Sequence, residues 1–329
     1  MRTLVTGGAG FAGSHLTEFL LRQGQEVTVL AAEHEDLANI RELLGHIRVE
    51  RADLRHAPAL SSLLRSWMPV RVYHLAALSS PSESVRNPGV TYEVNFLGTL
   101  NLLLACRELV NAPRFLFVSS SEVYGPVDAA RLPLREDAPR RPTNPYAASK
   151  AAGELLAYQF FRSYGMPIVR VRPFNHTGPR QSPSFACSDF ALQVAEIELG
   201  LRAPRIVVGN LNVQRDFSDV RDIVRAYHLL LEKGEAGEVY QLGSGRAVAV
   251  GDILRMLQSG CSKKIEIVVD PARLRPDESV TVWGDTSKAE EATGWHREYP
   301  LETTLRDLRI YWEHRLSAPQ STPTESPAL

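Results

Sequence analysis

Thr3-Leu4-Val5-Thr6-Gly7-Gly8-Ala9-Gly10-Phe11-Ala12-Gly13 decides how this chain is read. Thr3 to Thr6 suits a short buried strand, and glycines follow at positions 7, 10 and 13. A helical pattern then runs through Leu16, Phe19, Leu20 and Leu21 until Gly24, and Val27 to Leu30 reads as a second strand. A glycine bend alone is often just a turn. Strand, glycine turn, helix and strand together are the context that a dinucleotide-binding turn requires. The bend needs backbone freedom, the chain must come close to a pyrophosphate, and the helix must pack near the strand. The pyrophosphate then meets the positive end of the helix dipole. Gly7, Gly10, Phe11, Ala12 and Gly13 are the candidate cofactor-binding residues of this turn.

Outward from this unit the alternation continues. Strands are expected at Ile47 to Glu50, Val70 to Leu75, Arg114 to Ser119 and Ile168 to Val171. Between them fall helices through Leu60, Leu63 and Leu64, from about Thr91 to Val110, and from Pro145 to Tyr164. Repeated β and α elements argue for an α/β fold, a doubly wound parallel sheet covered on both faces. After Pro173 the pattern changes. Asn175 to Ser184 reads as a loop, then come a helix from about Cys187 to Leu199, a strand Arg205 to Val208, a helix Val220 to Glu232 and a strand Glu238 to Leu242. The expected division is a Rossmann domain of residues 1–172 plus about 213–245, and a smaller C-terminal substrate-binding lobe of about 173–212 plus 246–316. Residues 317–329, rich in Pro, Ser and Thr, read as a flexible tail. Ligands of open α/β sheets bind outside the carboxyl ends of the strands, where such a lobe would lean.

Composition narrows the function. The 329 residues are 44% hydrophobic and 23% charged, which fits a soluble globular protein with a substantial core. A net charge of -1 gives no field to attract nucleic acid or an anionic membrane. No apolar run is long enough to span a bilayer, and no signal-peptide pattern opens the chain. Cys106, Cys187 and Cys261 are sparse and scattered, so reduced thiols in the cytoplasm are expected. No spacing suggests a metal site; His15 and His74 read as satisfied structural histidines, and so does His176.

Chemistry concentrates in Pro145-Tyr146-Ala147-Ala148-Ser149-Lys150. Tyr146 and Lys150 are four apart, hence on one helical face. A free phenol titrates near about 10, and a neighbouring ammonium lowers that value. The pair can therefore move protons, though any amphipathic helix can carry Tyr and Lys at this spacing. Phe115-Leu116-Phe117-Val118 is a strand ending in Ser119-Ser120-Ser121-Glu122-Val123-Tyr124-Gly125. Hydroxyls there are placed to meet a substrate, or simply to cap a turn.

With these stretches in hand, the chain resembles the extended short-chain dehydrogenase/reductases, a family of nucleotide-sugar enzymes. Asp53-Leu54, His74-Leu75-Ala76-Ala77, Asn95-Phe96-Leu97-Gly98-Thr99 and Arg172-Pro173-Phe174-Asn175 match in the family's order. The resemblance implies that Ser120 bonds the reacting sugar oxygen, Tyr146 exchanges its proton, and Lys150 holds the nicotinamide ribose while lowering the tyrosine pKa. It implies that Asp53 reaches the adenine amine, that Leu54 packs near the ring, and that Leu75, Ala76, Ala77 and Asn95 complete the cofactor site. Later phrases, Arg172 to Gln181, Val208 to Leu211, Arg215 to Asp222, Arg273 to Glu278 and Thr293 to Trp295, are similar to enzymes acting on GDP-sugars. They imply substrate contacts from Ser121, Asn175, Arg215, Arg275 and Glu278, the two arginines through the diphosphate. Read without that resemblance, Arg215–Asp216 and Arg221–Asp222 are surface ion pairs.

The implied activity is reduction of the C4 ketone of GDP-4-keto-6-deoxy-D-mannose to GDP-D-rhamnose by NAD(P)H. The alternatives are 4,6-dehydration of GDP-mannose with Glu122 as acid/base, and another nucleotide-sugar epimerase or dehydratase. A dinucleotide sensor without catalysis would have lost part of the Ser/Tyr/Lys set, and all three are present. Leu30 is followed by Ala31-Ala32-Glu33, with Arg41 some way on, so the reading leans to NAD(H) with NADP(H) open. The resemblance also implies a homodimer built from helices near 91–110 and 145–164.

Overall fold

The computed structural model describes residues 1–273 and 280–317. The first half runs β1 (Arg2–Thr6), α1 (Phe11–Arg22), β2 (Glu26–Ala31), β3 (Arg48–Arg51), α2 (Ala57–Trp67) and β4 (Arg71–His74). It continues through α3 (Pro81–Arg86), α4 (Pro88–Tyr92), α5 (Gly98–Arg107), β5 (Arg114–Val118), α6 (Pro145–Tyr164) and β6 (Ile168–Pro173). The second half runs β7 (Asn175–Thr177), α7 (Ala186–Glu198), β8 (Arg205–Val208), β9 (Gln214–Arg215), β10 (Phe217–Asp219), α8 (Val220–Lys233) and β11 (Val239–Leu242). β12 (Val248–Ala249), α9 (Val250–Gln258), β13 (Glu266–Val269), β14 (Thr281–Val282), α10 (Ser287–Thr293) and α11 (Leu301–Ser317) complete it.

A seven-stranded sheet has the order β11-β6-β5-β4-β1-β2-β3, and every pairing in it is parallel. This is the doubly wound Rossmann sheet expected from the alternation. β1 lies between β2 and β4, so the chain reverses its direction of travel across the sheet between β1 and β4. That is the topological switch point, where such sheets bind ligands.

Leu16, Leu20, Leu60 and Leu64, which the helical periodicity singled out, help to bury the two faces. On one side Leu16 and Leu20 of α1 meet Ile223, Val224, Tyr227 and Leu230 of α8. On the other, Leu60 and Leu64 of α2 meet Leu102 and Leu103 of α5 and Phe160 of α6. Burying one such side chain stabilises the fold by about 2 kcal/mol. A separate core joins α7, α9 and α11 through Val194, Ile253, Leu257, Leu305 and Trp312.

Three readings of the sequence are refined. The expected helix 91–110 is instead α4, a π-helical turn Glu93–Leu97, and α5, which stops at Arg107 and leaves Val110 98% exposed. The expected loop 175–184 opens with β7, which pairs in parallel with β10; a three-residue strand carries too little pattern to be seen. β9, placed by the sequence in the larger domain, pairs with β12 and β14.

Candidate active site

The glycine turn sits at the switch point. Gly7 follows β1 with φ +69, and a Cβ there would lie 2.8 Å from the backbone nitrogen of Ala76, just beyond β4. A Cβ on Gly13 would lie 1.9 Å from the Gly7 carbonyl, so α1 packs onto the turn as only glycine allows. Gly10 caps α1 with no side-chain acceptor, and no acidic residue occupies the first turn. The N–H groups of Phe11 and Ala12 thus head an uncapped helix, the right donor set for a pyrophosphate. The residues present fit a dinucleotide.

The turn is braced from below. The Ala76 N–H donates to Thr6 Oγ1 at 3.2 Å, and Thr6 Oγ1 lies 2.7 Å from His74 Nδ1. His74 Nε2 lies 2.8 Å from Thr99 Oγ1, which itself donates to the Asn95 carbonyl at 2.6 Å. Because the Thr99 proton is committed, His74 carries its hydrogen on Nε2 and accepts from Thr6 on Nδ1. Burial, helped by Lys150, pushes its pKa down to about 3, so the ring is neutral and structural, as read from the sequence. His15 is likewise neutral, pushed down to about 4 chiefly by burial, with Nε2 bonded to the Pro179 carbonyl at 2.8 Å.

Asn144 and Pro145 set the start of α6. The Asn144 side chain accepts from the Ala147 N–H at 2.8 Å, Pro145 takes the first helical position, and Ser84 Oγ accepts from the Tyr146 N–H at 3.1 Å. Tyr146 therefore lies in the first turn, half-buried, with Lys150 one turn deeper and 4% exposed. Ser120 lies two residues beyond β5, at the start of the turn Ser121–Tyr124, and bonds the phenol. Its oxygen accepts the Glu122 N–H at 3.1 Å, which leaves its own proton to donate. The structure brings Ser120, Tyr146 and Lys150 together at the carboxyl end of the sheet. Glu122 is exposed in the 3-10 turn Ser121–Tyr124, near enough to raise the tyrosine pKa; Ser121 is half-buried in the same turn.

One expectation is reversed. Lys150 does not hold the phenol below its ordinary value here. Burial pushes Tyr146 up to about 12, opposed only by the Ser120 bond. The Lys150 ammonium points instead at the Val118 carbonyl, 2.8 Å away, and burial lowers its own pKa to about 8. Desolvation, not the charge one turn along the helix, sets the phenol's shift.

Other expected residues are engaged by protein partners. Asn95 clamps Leu78 through both backbone groups, at 2.8 and 3.1 Å, and donates to Ser149 Oγ at 3.0 Å. It thereby ties the chain after β4 to α6. Asp53 is bonded by Arg55, whose guanidinium holds the carboxyl below its usual range; the carboxylate remains 41% exposed. Leu54 is buried against Gly98, Leu75 packs on the core beneath the turn, and Ala77 follows Ala76. Asn175 lies half-buried in β7, and Arg215 donates to the Gln214 carbonyl at 2.8 Å. Arg275 and Glu278 lie outside the described residues.

Sequence reading missed what locks α6 in place. Glu154, one turn beyond Lys150, is wholly buried and grips Arg172 at 2.9 and 2.6 Å and Arg140 at 3.1 Å. Arg172 also donates to the Tyr124 hydroxyl at 2.8 Å and the Glu136 carbonyl at 2.7 Å. Burial is the strongest influence on Glu154 and pulls its pKa upward, but Arg172 and Arg170 hold it below the ordinary value. The signal was present: Tyr146, Lys150 and Glu154 share one helical face. Among the described residues no cluster could hold a metal ion, and no helix is long and apolar enough to cross a membrane.

A parallel sheet with a glycine turn at its switch point and a Ser–Tyr–Lys set at its carboxyl edge defines an extended short-chain dehydrogenase/reductase. Residues 4–308 match the family model described as GDP-mannose 4,6 dehydratase, and the chain belongs to that family. It is 38% identical to a GDP-6-deoxy-D-mannose reductase of Pseudomonas aeruginosa, across 96% of this chain and 98% of that one. It is 30% identical to a GDP-mannose 4,6-dehydratase of Yersinia enterocolitica, across 93% and 92%. Among solved structures, RMD from Pseudomonas aeruginosa complexed with NADPH is similar with a TM-score of 0.85 and 37% identity, over 95% of this chain and 99% of that one. A Thermus thermophilus UDP-glucose 4-epimerase in complex with NAD gives 0.84 and 33%, over 95% and 99%.

Proposed function

We propose that the protein reduces the C4 ketone of GDP-4-keto-6-deoxy-D-mannose to GDP-D-rhamnose with a nicotinamide dinucleotide. The observation that carries this reading is the likeness to the Pseudomonas aeruginosa reductase over nearly the whole of both chains, with Ser120, Tyr146 and Lys150 in place. A bound reduced nicotinamide would supply hydride to C4. Ser120 donates to the ketone oxygen and orients it. Tyr146, its pKa raised to about 12, keeps its proton at neutral pH and gives it to that oxygen as the alcohol forms. Lys150 holds the nicotinamide ribose. Ser121 and Asn175 contact the sugar nucleotide, Arg215 and Arg275 clasp its diphosphate, and Glu278 accepts from its ribose.

The cofactor reading leans to NADH. The segment after β2, Glu33-His34-Glu35-Asp36, carries three acids that oppose a 2′-phosphate. Arg51, the cation beside it, donates to the carbonyls of Ala32, Glu33 and Glu35 at 2.7, 2.8 and 3.2 Å. The NADPH in the Pseudomonas structure favours the other choice, so the ratio of kcat/KM for NADH and NADPH is the measurement to make. A homodimer is supported by Leu97, Leu155 and Tyr158, apolar residues 46%, 52% and 41% exposed on the π-helical turn and α6. Three free cysteines support a cytoplasmic site.

Glu122 favours a second reading. A carboxylate beside Tyr146 is what 4,6-dehydration of GDP-mannose needs to move protons. Incubation with GDP-mannose alone, and with the 4-keto-6-deoxy sugar plus NADH or NADPH, separates the two. Cofactor oxidation that depends on the keto sugar supports the reductase; keto sugar formed from GDP-mannose without reductant overturns it.

A further inference from the structure

Beyond the catalytic set, the outer face of α1 grips the loop that carries Asn175. Phe11 stacks on His176, with ring centroids 5.8 Å apart and planes at 13°. His15, one turn on, donates through Nε2 to the Pro179 carbonyl at 2.8 Å. Glu18, a further turn along, pairs with Arg180 at 2.7 Å. The far side of the same loop is bolted to the smaller lobe: Ser188 Oγ donates to the Gln181 carbonyl at 2.6 Å, and the Trp312 indole donates to Ser188 at 3.0 Å. Arg180 bears two costs at this junction. Its φ is +72, a left-handed conformation unusual for a residue with a Cβ, and its Nη1 is buried with no acceptor among the described residues. Strain and an unsatisfied donor in one residue persist where the surroundings hold it for a purpose.

We propose that Arg180 is a positioning residue. Clasped by Glu18, it fixes the loop 175–181 onto the cofactor's phosphate-binding helix, so that the substrate is presented at a set height over the nicotinamide. This inference rests on the reductase reading for its kinetic consequence, but not for its structural one. Cofactor binding at the amino end of α1 stiffens the helix, and the Glu18–Arg180 pair passes that order to the loop.

The test compares the wild type with Glu18→Gln, Arg180→Lys and Arg180→Gly, glycine being at ease in the left-handed conformation. Hydrogen exchange of the segment 174–182 is followed with and without NADH. NADH is expected to slow exchange there in the wild type and in Arg180→Lys, and to leave it unchanged in Glu18→Gln and Arg180→Gly. In Glu18→Gln and Arg180→Gly, NADH affinity stays within about threefold of wild type while kcat with the keto sugar falls about tenfold to a hundredfold, the scale of a small misplacement of reactants; Arg180→Lys keeps both. Equal protection in wild type and Glu18→Gln overturns the proposal. So does a loss of NADH affinity that tracks the loss of protection, because the pair would then merely hold α1. Absence of any turnover by the wild type would sink the reductase reading alone and leave the exchange result to judge the clasp.

Discussion

Tyr146, the proposed acid, keeps its proton because burial raises its pKa. Removing its hydroxyl deletes the proton donor and little else, since the ring still fills the half-buried mouth of α6. Tyr146→Phe is therefore expected to lower kcat by about a hundredfold to ten-thousandfold while NADH binds nearly as in the wild type; stopped-flow reduction together with cofactor fluorescence checks both. His74 makes a second prediction at this scale. Its pKa falls from 6.5 in the unfolded chain to about 3 in the fold. Between those values the unfolded chain binds the extra proton, so stability is complete above pH 6.5 and falls by about 1.4 kcal/mol per pH unit below it. Urea titrations from pH 7 to 5 are expected to show a slope in His74→Gln smaller by about one proton than in the wild type, where His15 and the other histidines lowered by burial add to the His74 contribution. The two residues differ in how readable they were. Tyr146 and Lys150 announced themselves by spacing, and His74 by its place at a strand end. The direction of the tyrosine shift did not, because burial is decided by elements remote in sequence.

At the scale of elements, the first strand–turn–helix is held by contacts that tolerate no extra carbon. Gly13→Ala would set a Cβ 1.9 Å from the Gly7 carbonyl. Backbone cannot retreat as a flexible side chain can, so the turn must open. NADH affinity is expected to drop by at least about a hundredfold, read by fluorescence titration, with the sheet's far-UV signal largely kept. Gly45→Ala, which meets nothing within 4 Å, serves as the control and is expected to bind as the wild type does. Elements that bury a whole stripe were legible: α6 spans Pro145–Tyr164, the bounds expected, and Gly24 closes α1 with φ +68. The π-helical turn at Glu93–Leu97 was not, because one extra residue in a turn leaves the apolar spacing almost unchanged. β7 and β10 were missed for another reason. Three residues each, they are strands only because they pair with one another across about forty residues of chain.

For the whole molecule, the exposed apolar residues of α6 and the neighbouring π-helical turn are too large to be left in water without consequence. If that face pairs two copies, as proposed, sedimentation velocity is expected to give a dimer for the wild type and a monomer for Leu155→Glu, which sets a charge in its middle, with the melting temperature lowered. The fold class followed from alternation alone, whereas the boundary between lobes did not, since the chain crosses between them several times. That crossing governs the order in which the protein can assemble. β6 borders β11, and α8 covers one side of the sheet, yet both arrive after α7 and β8 of the smaller lobe have been made. During synthesis, Leu116, Val118, Val169 and Val171 therefore stay uncovered on that face until α8 has been made, and the edge of β6 stays unpaired until β11 follows it.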